Sequence, residues 1–220
     1  MRGINRQSIF EDEEDRQKLI DTIARYKEIS CYRVFAYCLM DNHIHMLIQE
    51  SKEPIDLIMK RISSSYVLWY NRKYERCGHL FQERYKSEIV DNNNYFLIVL
   101  RYIHQNPVKA KIVSDLLEFK WSSYREYKGK GHIIAKEYVL EMFSKEPSEA
   151  KKQFEKFLRE NNSDKCLELE ESQANISDEK VREIIKDRYS ITAISLSVEP
   201  REKQDAALKE LKLLNGVSIR

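Results

Sequence analysis

Tyr37-Cys38-Leu39-Met40-Asp41-Asn42-His43-Ile44-His45-Met46-Leu47-Ile48 is an apolar run broken by one polar turn, after which two histidines flank a single isoleucine. At a strand's period of two, His43 and His45 point to one face while Ile44, Met46 and Ile48 point to the other. Two imidazoles on one face are a ready pair of metal ligands. The same arrangement also suits two rings that simply hydrogen-bond their neighbours.

Working outward, the run predicts strands over Tyr32 to Leu39 and His43 to Gln49, joined by the Met40-Asp41-Asn42 turn. Before them, Asp12 to Ile29 has the pattern of an amphipathic helix with an acidic first turn. After them, Glu53 to Arg76 reads as mostly helix following Pro54, and Phe81 to Val90 as strand-like. Together these make an α+β pattern, an antiparallel sheet with helices packed on it.

A second informative segment lies about sixty residues on. In Tyr95-Phe96-Leu97-Ile98-Val99-Leu100-Arg101-Tyr102-Ile103-His104-Gln105-Asn106-Pro107 the apolar positions recur at helical intervals. Asn92, Asn93 or Asn94 can cap its start, and Pro107 predicts a stop or kink. Tyr102 and Asn106 then share a face one turn apart, where a phenol and an amide oxygen can approach the same metal ion. Ordinary roles compete: an amphipathic helix tyrosine and a turn-forming asparagine. His104 falls on another face and reads as a packing or capping histidine, with contact to substrate or proton transfer as the lesser alternative, and His79, after Gly78, as part of a turn.

These segments, in order, resemble the single-tyrosine HUH transposases, specifically the REP-associated tyrosine transposase group. Further matching blocks are Arg2-Gly3-Ile4-Asn5-Arg6-Gln7-Ser8-Ile9-Phe10, Gly78-His79-Leu80-Phe81-Gln82-Glu83-Arg84-Tyr85, Arg101 to Ala110, and Trp121-Ser122-Ser123-Tyr124. The resemblance implies a ferredoxin-like HUH nuclease fold. It further implies His43, His45 and Asn106 as ligands of Mg2+ or Mn2+, with Tyr102 as nucleophile. Attack on single-stranded, hairpin-bearing DNA would leave a 5′ phosphate on Tyr102 and a free 3′ hydroxyl, and the working form would be a homodimer.

The chemistry suits those residue types. A phosphodiester repels nucleophiles because its oxygens are negative, so a cation must offset that charge. A free phenol has a pKa of about 10 and needs help to attack at neutral pH. Two imidazoles with an oxygen donor suit manganese and tolerate magnesium.

The net charge of the 220-residue chain is +2. From Lys60 to Lys130, Lys and Arg outnumber Asp and Glu roughly two to one, whereas residues 145–180 lean acidic. Arg84, Lys86, Arg101 and Lys109 are the candidate DNA-binding cations, with nearby aromatic residues available to stack on unpaired bases. Tyr66, Trp69, Tyr70 and Tyr74 also recur at helical spacing, which makes several of them core residues. Cys31, Cys38, Cys77 and Cys166 show no paired spacing and read as reduced thiols. No stretch is long and apolar enough for a membrane span and no signal-peptide pattern is present, so the expectation is a cytoplasmic protein.

The expected organisation is a catalytic domain over residues 1–130, a helical extension and linker over 131–175, and a partial appendage over 176–220. The last resembles the opening of a DnaA-like helix-turn-helix. The family's first strand, which precedes the Arg2 block in relatives, is expected to be missing, which would leave backbone groups unpaired beside the histidines. Three functions therefore compete: a metal-dependent strand transferase, a non-catalytic binder of structured single-stranded nucleic acid, and an inactive remnant. The joint presence of His43, His45, Tyr102 and Asn106 favours the first.

Overall fold

The computed structural model describes residues 1–129 and 133–162, together with Cys166, Pro200, Arg201 and Gln204. The chain divides into a unit of residues 1–166 and a second of residues 167–220. The expected helix-turn-helix appendage lies almost wholly outside the described residues.

Local signals account for the helices. Helix α1 (Glu13–Ser30) begins at Asp12, whose side chain accepts the Asp15 amide at 3.0 Å while Asp15 reaches back to the Asp12 amide. This reciprocal cap, with three acidic residues in the first turn, satisfies amides that the helix itself leaves open. Cys31 closes the helix in the left-handed region at φ 56. Asp15 is fully buried but paired: Lys73 Nζ lies at 2.9 Å and the Tyr74 hydroxyl donates to it at 2.9 Å. That pairing ties α1 to the end of α2 (Ile55–Lys73).

Between those helices run β1 (Arg33–Met40) and β2 (His43–Gln49), antiparallel, with Cys38 opposite His45 and Met40 opposite His43. Short segments extend this ribbon on both sides. On the β2 side, Ile44 N–H donates to Met1 O at 2.9 Å, the Met1 amine donates to Ile44 O at 3.1 Å, and Arg2 pairs with His43. Gly3 in turn pairs with Phe81. On the β1 side, Leu39 N–H donates to Trp121 O at 2.9 Å and Ser123 N–H to Tyr37 O at 3.0 Å. The spatial order is therefore residues 80–82, residues 1–4, β2, β1 and residues 121–123. The edge where a missing strand was expected is held by Met1–Gly3 as far as Ile44.

Gly3 is required by close approach. A Cβ there would meet Gln7 O at 2.4 Å and Ile9 Cγ2 at 2.9 Å. The chain then turns through a short 3-10 segment, Ile4–Arg6, with Asn5 and Arg6 at positive φ. The strand expected over Phe81 to Val90 does not form. Only Phe81 forms a bridge: in the antiparallel register of Gly3 with Phe81, Arg2 and Met1 face only Gln82 and Glu83, and Gln82 to Ile89 are almost all exposed.

Helix α3 (Asn93–Lys109) is capped by Asn92, which accepts the Tyr95 amide at 2.8 Å. Pro107 sits inside it, and the helix runs two residues further. A proline in the last turn removes only one helical hydrogen bond. Helix α3 packs on β1 and β2 through Phe96, Leu100 and Ile103, and Phe96 meets Phe35 edge to face at 5.1 Å.

Helices α4 (Tyr124–Lys128), α5 (Lys136–Glu141) and α6 (Pro147–Arg159) follow. Pro147 opens α6, where its missing N–H costs nothing. Phe154 of α6 stacks near Tyr127 at 4.4 Å and belongs to the same core as the sheet. The first part of the helical extension expected after residue 130 is thus integrated with residues 1–129. The protein is α+β, as expected, and no described helix is long and apolar enough to cross a membrane.

Candidate active site

His43 and His45 share one face of β2, and their rings meet edge to face with centroids 4.9 Å apart. The Tyr102 ring of α3 stands edge-on to His45 at 5.6 Å. The two histidines and Tyr102, more than fifty residues away in sequence, therefore form one cluster where α3 crosses the histidine strand. Asn106 lies one turn on, and its Nδ2 donates to Tyr102 O at 3.0 Å. That bond leaves the amide oxygen as the ligand-capable end of the side chain.

Burial sets the protonation of the imidazoles. It pushes His43 down to about 4, assisted by the positive charges of Arg2 and the amino terminus and opposed by Asp41. It pushes His45 down to about 3, with His43 and the amino terminus adding to the effect. Both rings are neutral at physiological pH, the form that ligates metals. His43 Nδ1 lies 2.7 Å from Asn42 Oδ1. An amide oxygen only accepts, so Nδ1 carries the proton and Nε2 is left as the ligand atom. Asn42 was read from the sequence only as a turn residue. Its position directly before His43 was the available signal.

Among the described residues no group of three His, Cys, Asp or Glu could hold a metal ion. A cation here would therefore take two imidazole nitrogens and need an oxygen donor of another kind, for which Asn106 is the candidate. Two neutral imidazoles side by side, one with its tautomer fixed by Asn42, fit a divalent cation.

The four candidate DNA-binding cations lie in different settings. Arg84 and Lys86 are exposed on the irregular segment after Phe81. Lys109 is exposed near the nucleophile candidate, with Nζ 5.6 Å from the Tyr102 ring centroid and donating to Asn162 Oδ1 at 3.0 Å. Arg101 differs. It is buried, its guanidinium lies 4.2 Å from the Phe157 ring centroid, and Glu160 pairs with it at 3.4 Å. Arg101 thus packs α3 against the end of α6 and does not join the exposed cations.

His104 has the packing role expected of it. It is buried, with Nδ1 2.9 Å from Leu100 O and Nε2 2.8 Å from Ser123 Oγ. Burial lowers its pKa to about 4, so the ring is neutral. Nδ1–H donates to the Leu100 carbonyl and Nε2 accepts from Ser123, which also receives the Tyr37 amide at 2.9 Å. His104 thereby fastens the middle of α3, two residues from Tyr102, to the edge of β1. Sequence reading missed Ser123 as a partner, since the contact joins residues nineteen apart across the end of α3 and the irregular chain after it.

Of the aromatic residues on α2, Tyr66 and Tyr70 are buried core residues, as their spacing predicts. Cys31, Cys38 and Cys77 are free thiols, and burial pushes that of Cys38 well up.

Residues 1–106 match the family model described as "Transposase IS200 like". No curated protein and no solved structure matches the chain.

Proposed function

We propose that this chain, whose residues 1–106 match the model of the IS200-like transposases, a class of DNA-cleaving enzymes, cuts and rejoins hairpin-bearing single-stranded DNA with Tyr102 as nucleophile. The observation that carries the reading is the edge-on approach of the Tyr102 ring to His45, whose imidazole is paired with that of His43. A packing tyrosine has no need of two neutral imidazoles, one of them with its tautomer fixed.

In the proposed reaction Tyr102 Oη attacks phosphorus in line with the bond to the 3′ oxygen. The phenolic proton passes to solvent water. The P–O3′ bond breaks, the 3′ oxygen leaves with the electron pair and takes up a proton, and the 5′ phosphate stays on Tyr102. The reverse reaction with another 3′ hydroxyl rejoins the strand, since the phosphotyrosine bond conserves the energy of the diester.

A divalent cation, Mn2+ or Mg2+, held by His43, His45 and Asn106 would supply charge neutralisation at the phosphate oxygens. Asn42 holds His43 in the ligating tautomer, and Asn106 keeps its amide oxygen free by donating to the Tyr102 carbonyl. Arg84, Lys86 and Lys109 would meet backbone phosphates on either side. The homodimer implied by the resemblance belongs to the same proposal.

The test is incubation of the protein with single-stranded DNA from the flanks of its own gene and Mn2+, followed by denaturing electrophoresis. The expected result is a protein–DNA adduct, absent in Tyr102→Phe, with chelator, and in the His43→Ala, His45→Ala double variant. A folded protein that shifts the hairpin yet forms no adduct would overturn the reading in favour of a binding module.

A further inference from the structure

Arg2 lies directly opposite His43 in the sheet. Opposed residues of antiparallel segments send their side chains to the same face, so Arg2 shares the face of His43 and His45. Its main chain is fixed on both sides: Met1 and Gly3 bond to Ile44 and Asn42, and Arg2 O accepts the Gln82 amide at 2.9 Å.

The Arg2 side chain is only partly exposed, and its Nε is buried with no hydrogen-bond partner. No described carboxylate pairs with it. Arg16 also has a buried, unpartnered Nε, but its guanidinium pairs with Asp41 and lies 5.1 Å from the Phe10 ring centroid. Arg2 has neither compensation. Buried polar donors are nearly always bonded, and one left open at a candidate active site points to an acceptor supplied by the ligand.

We propose that Arg2 clamps the scissile phosphate, donating Nε–H and a terminal N–H to the non-bridging oxygens of the diester that Tyr102 attacks. The inference rests on Tyr102 being the nucleophile. As Oη bonds to phosphorus and the 3′ oxygen departs, negative charge builds on those two oxygens. A guanidinium offers two parallel donors that match them.

The experiment measures single-turnover adduct formation at saturating Mn2+ for the wild type, Arg2→Gln and Arg2→Lys. Each is tested on the ordinary diester and on a strand whose scissile phosphate is a methylphosphonate, in which one charged oxygen is replaced by methyl. On the diester, Arg2→Gln is expected to slow adduct formation about 100-fold, as removal of an oxyanion donor does, with partial recovery in Arg2→Lys. On the methylphosphonate the gap between wild type and Arg2→Gln should close. Equal rates on the diester, or the same gap on both substrates, would overturn the clamp. A folding defect in the variant gives that second pattern, because it slows both substrates alike. Absence of a Tyr102-dependent adduct from the wild type on the diester would instead defeat the nucleophile reading, and the clamp with it.

Discussion

Replacing Ser123 by alanine removes one oxygen on which two buried groups depend. Ser123 Oγ accepts the Tyr37 amide at 2.9 Å and donates to His104 Nε2 at 2.8 Å, and Ser123, His104 and Tyr37 are 0 %, 1 % and 5 % exposed. Without Oγ the Tyr37 amide and the imidazole nitrogen are both left in a dry interior. Each unsatisfied group costs about 1–3 kcal/mol, so the substitution should destabilise the protein by about 3 kcal/mol. With a urea m-value of about 2 kcal/mol/M, the midpoint should fall by about 1.5 M at unchanged slope. The assay is urea unfolding followed by tryptophan fluorescence, with Trp69 and Trp121 as reporters. His104→Phe costs less on its own, because Leu100 O keeps its helical partner. In combination with Ser123→Ala it should show a coupling energy of about 1 kcal/mol. A midpoint change under about 0.5 M, or strictly additive single effects, would refute the inference that His104 and Ser123 fasten α3 to β1.

Two further outcomes follow from the same contacts. Gly3→Ala should destabilise by about 1–3 kcal/mol in the same titration, since its Cβ must displace Gln7 O or Ile9; a neutral result would show that the Met1–Gly3 pairing yields easily. His104 sits among Tyr124, Tyr127, Phe154 and Ser123, with its pKa lowered to about 4 against about 6.5 in the unfolded chain. Between those values the unfolded state binds the proton and the native state does not, so this contribution is full above pH 6.5 and lost as pH falls toward 4. The slope attributable to His104 is about 1.4 kcal/mol per pH unit. Comparing wild type with His104→Phe at pH 6 and pH 5 isolates it, and parallel pH profiles would contradict the buried neutral ring.

Much of the fold was legible because its signals are local. The Asp12 cap, the Met40-Asp41-Asn42 turn and the Asn92 cap each act within a few residues, and β1, β2 and α3 begin and end within one or two residues of their expected limits. The strand expected over Phe81 to Val90 failed for a non-local reason: the segment beside it, Met1–Gly3, lies opposite Phe81 to Glu83 alone. The two sheet edges at Met1–Gly3 and Trp121–Ser123 were equally hidden, since neither has strand-like length. In the site, the period of β2 foretold that His43 and His45 share a face, and the spacing of α3 that Tyr102 and Asn106 adjoin. The inward turn of Arg101 was not foreseeable from its own helix, because Phe157 and Glu160 arrive more than fifty residues later. Arg2 was visible only as part of a matching block, and its place beside His43 emerges from the register.

The central claim is that Tyr102 takes the DNA. The most direct measurement digests the purified protein–DNA adduct and maps by mass spectrometry which peptide carries the nucleotide. The account predicts a single 5′-phosphate linkage on the peptide containing Tyr102. A nucleotide attached to any other residue, with the Tyr102 peptide recovered unmodified, would contradict it.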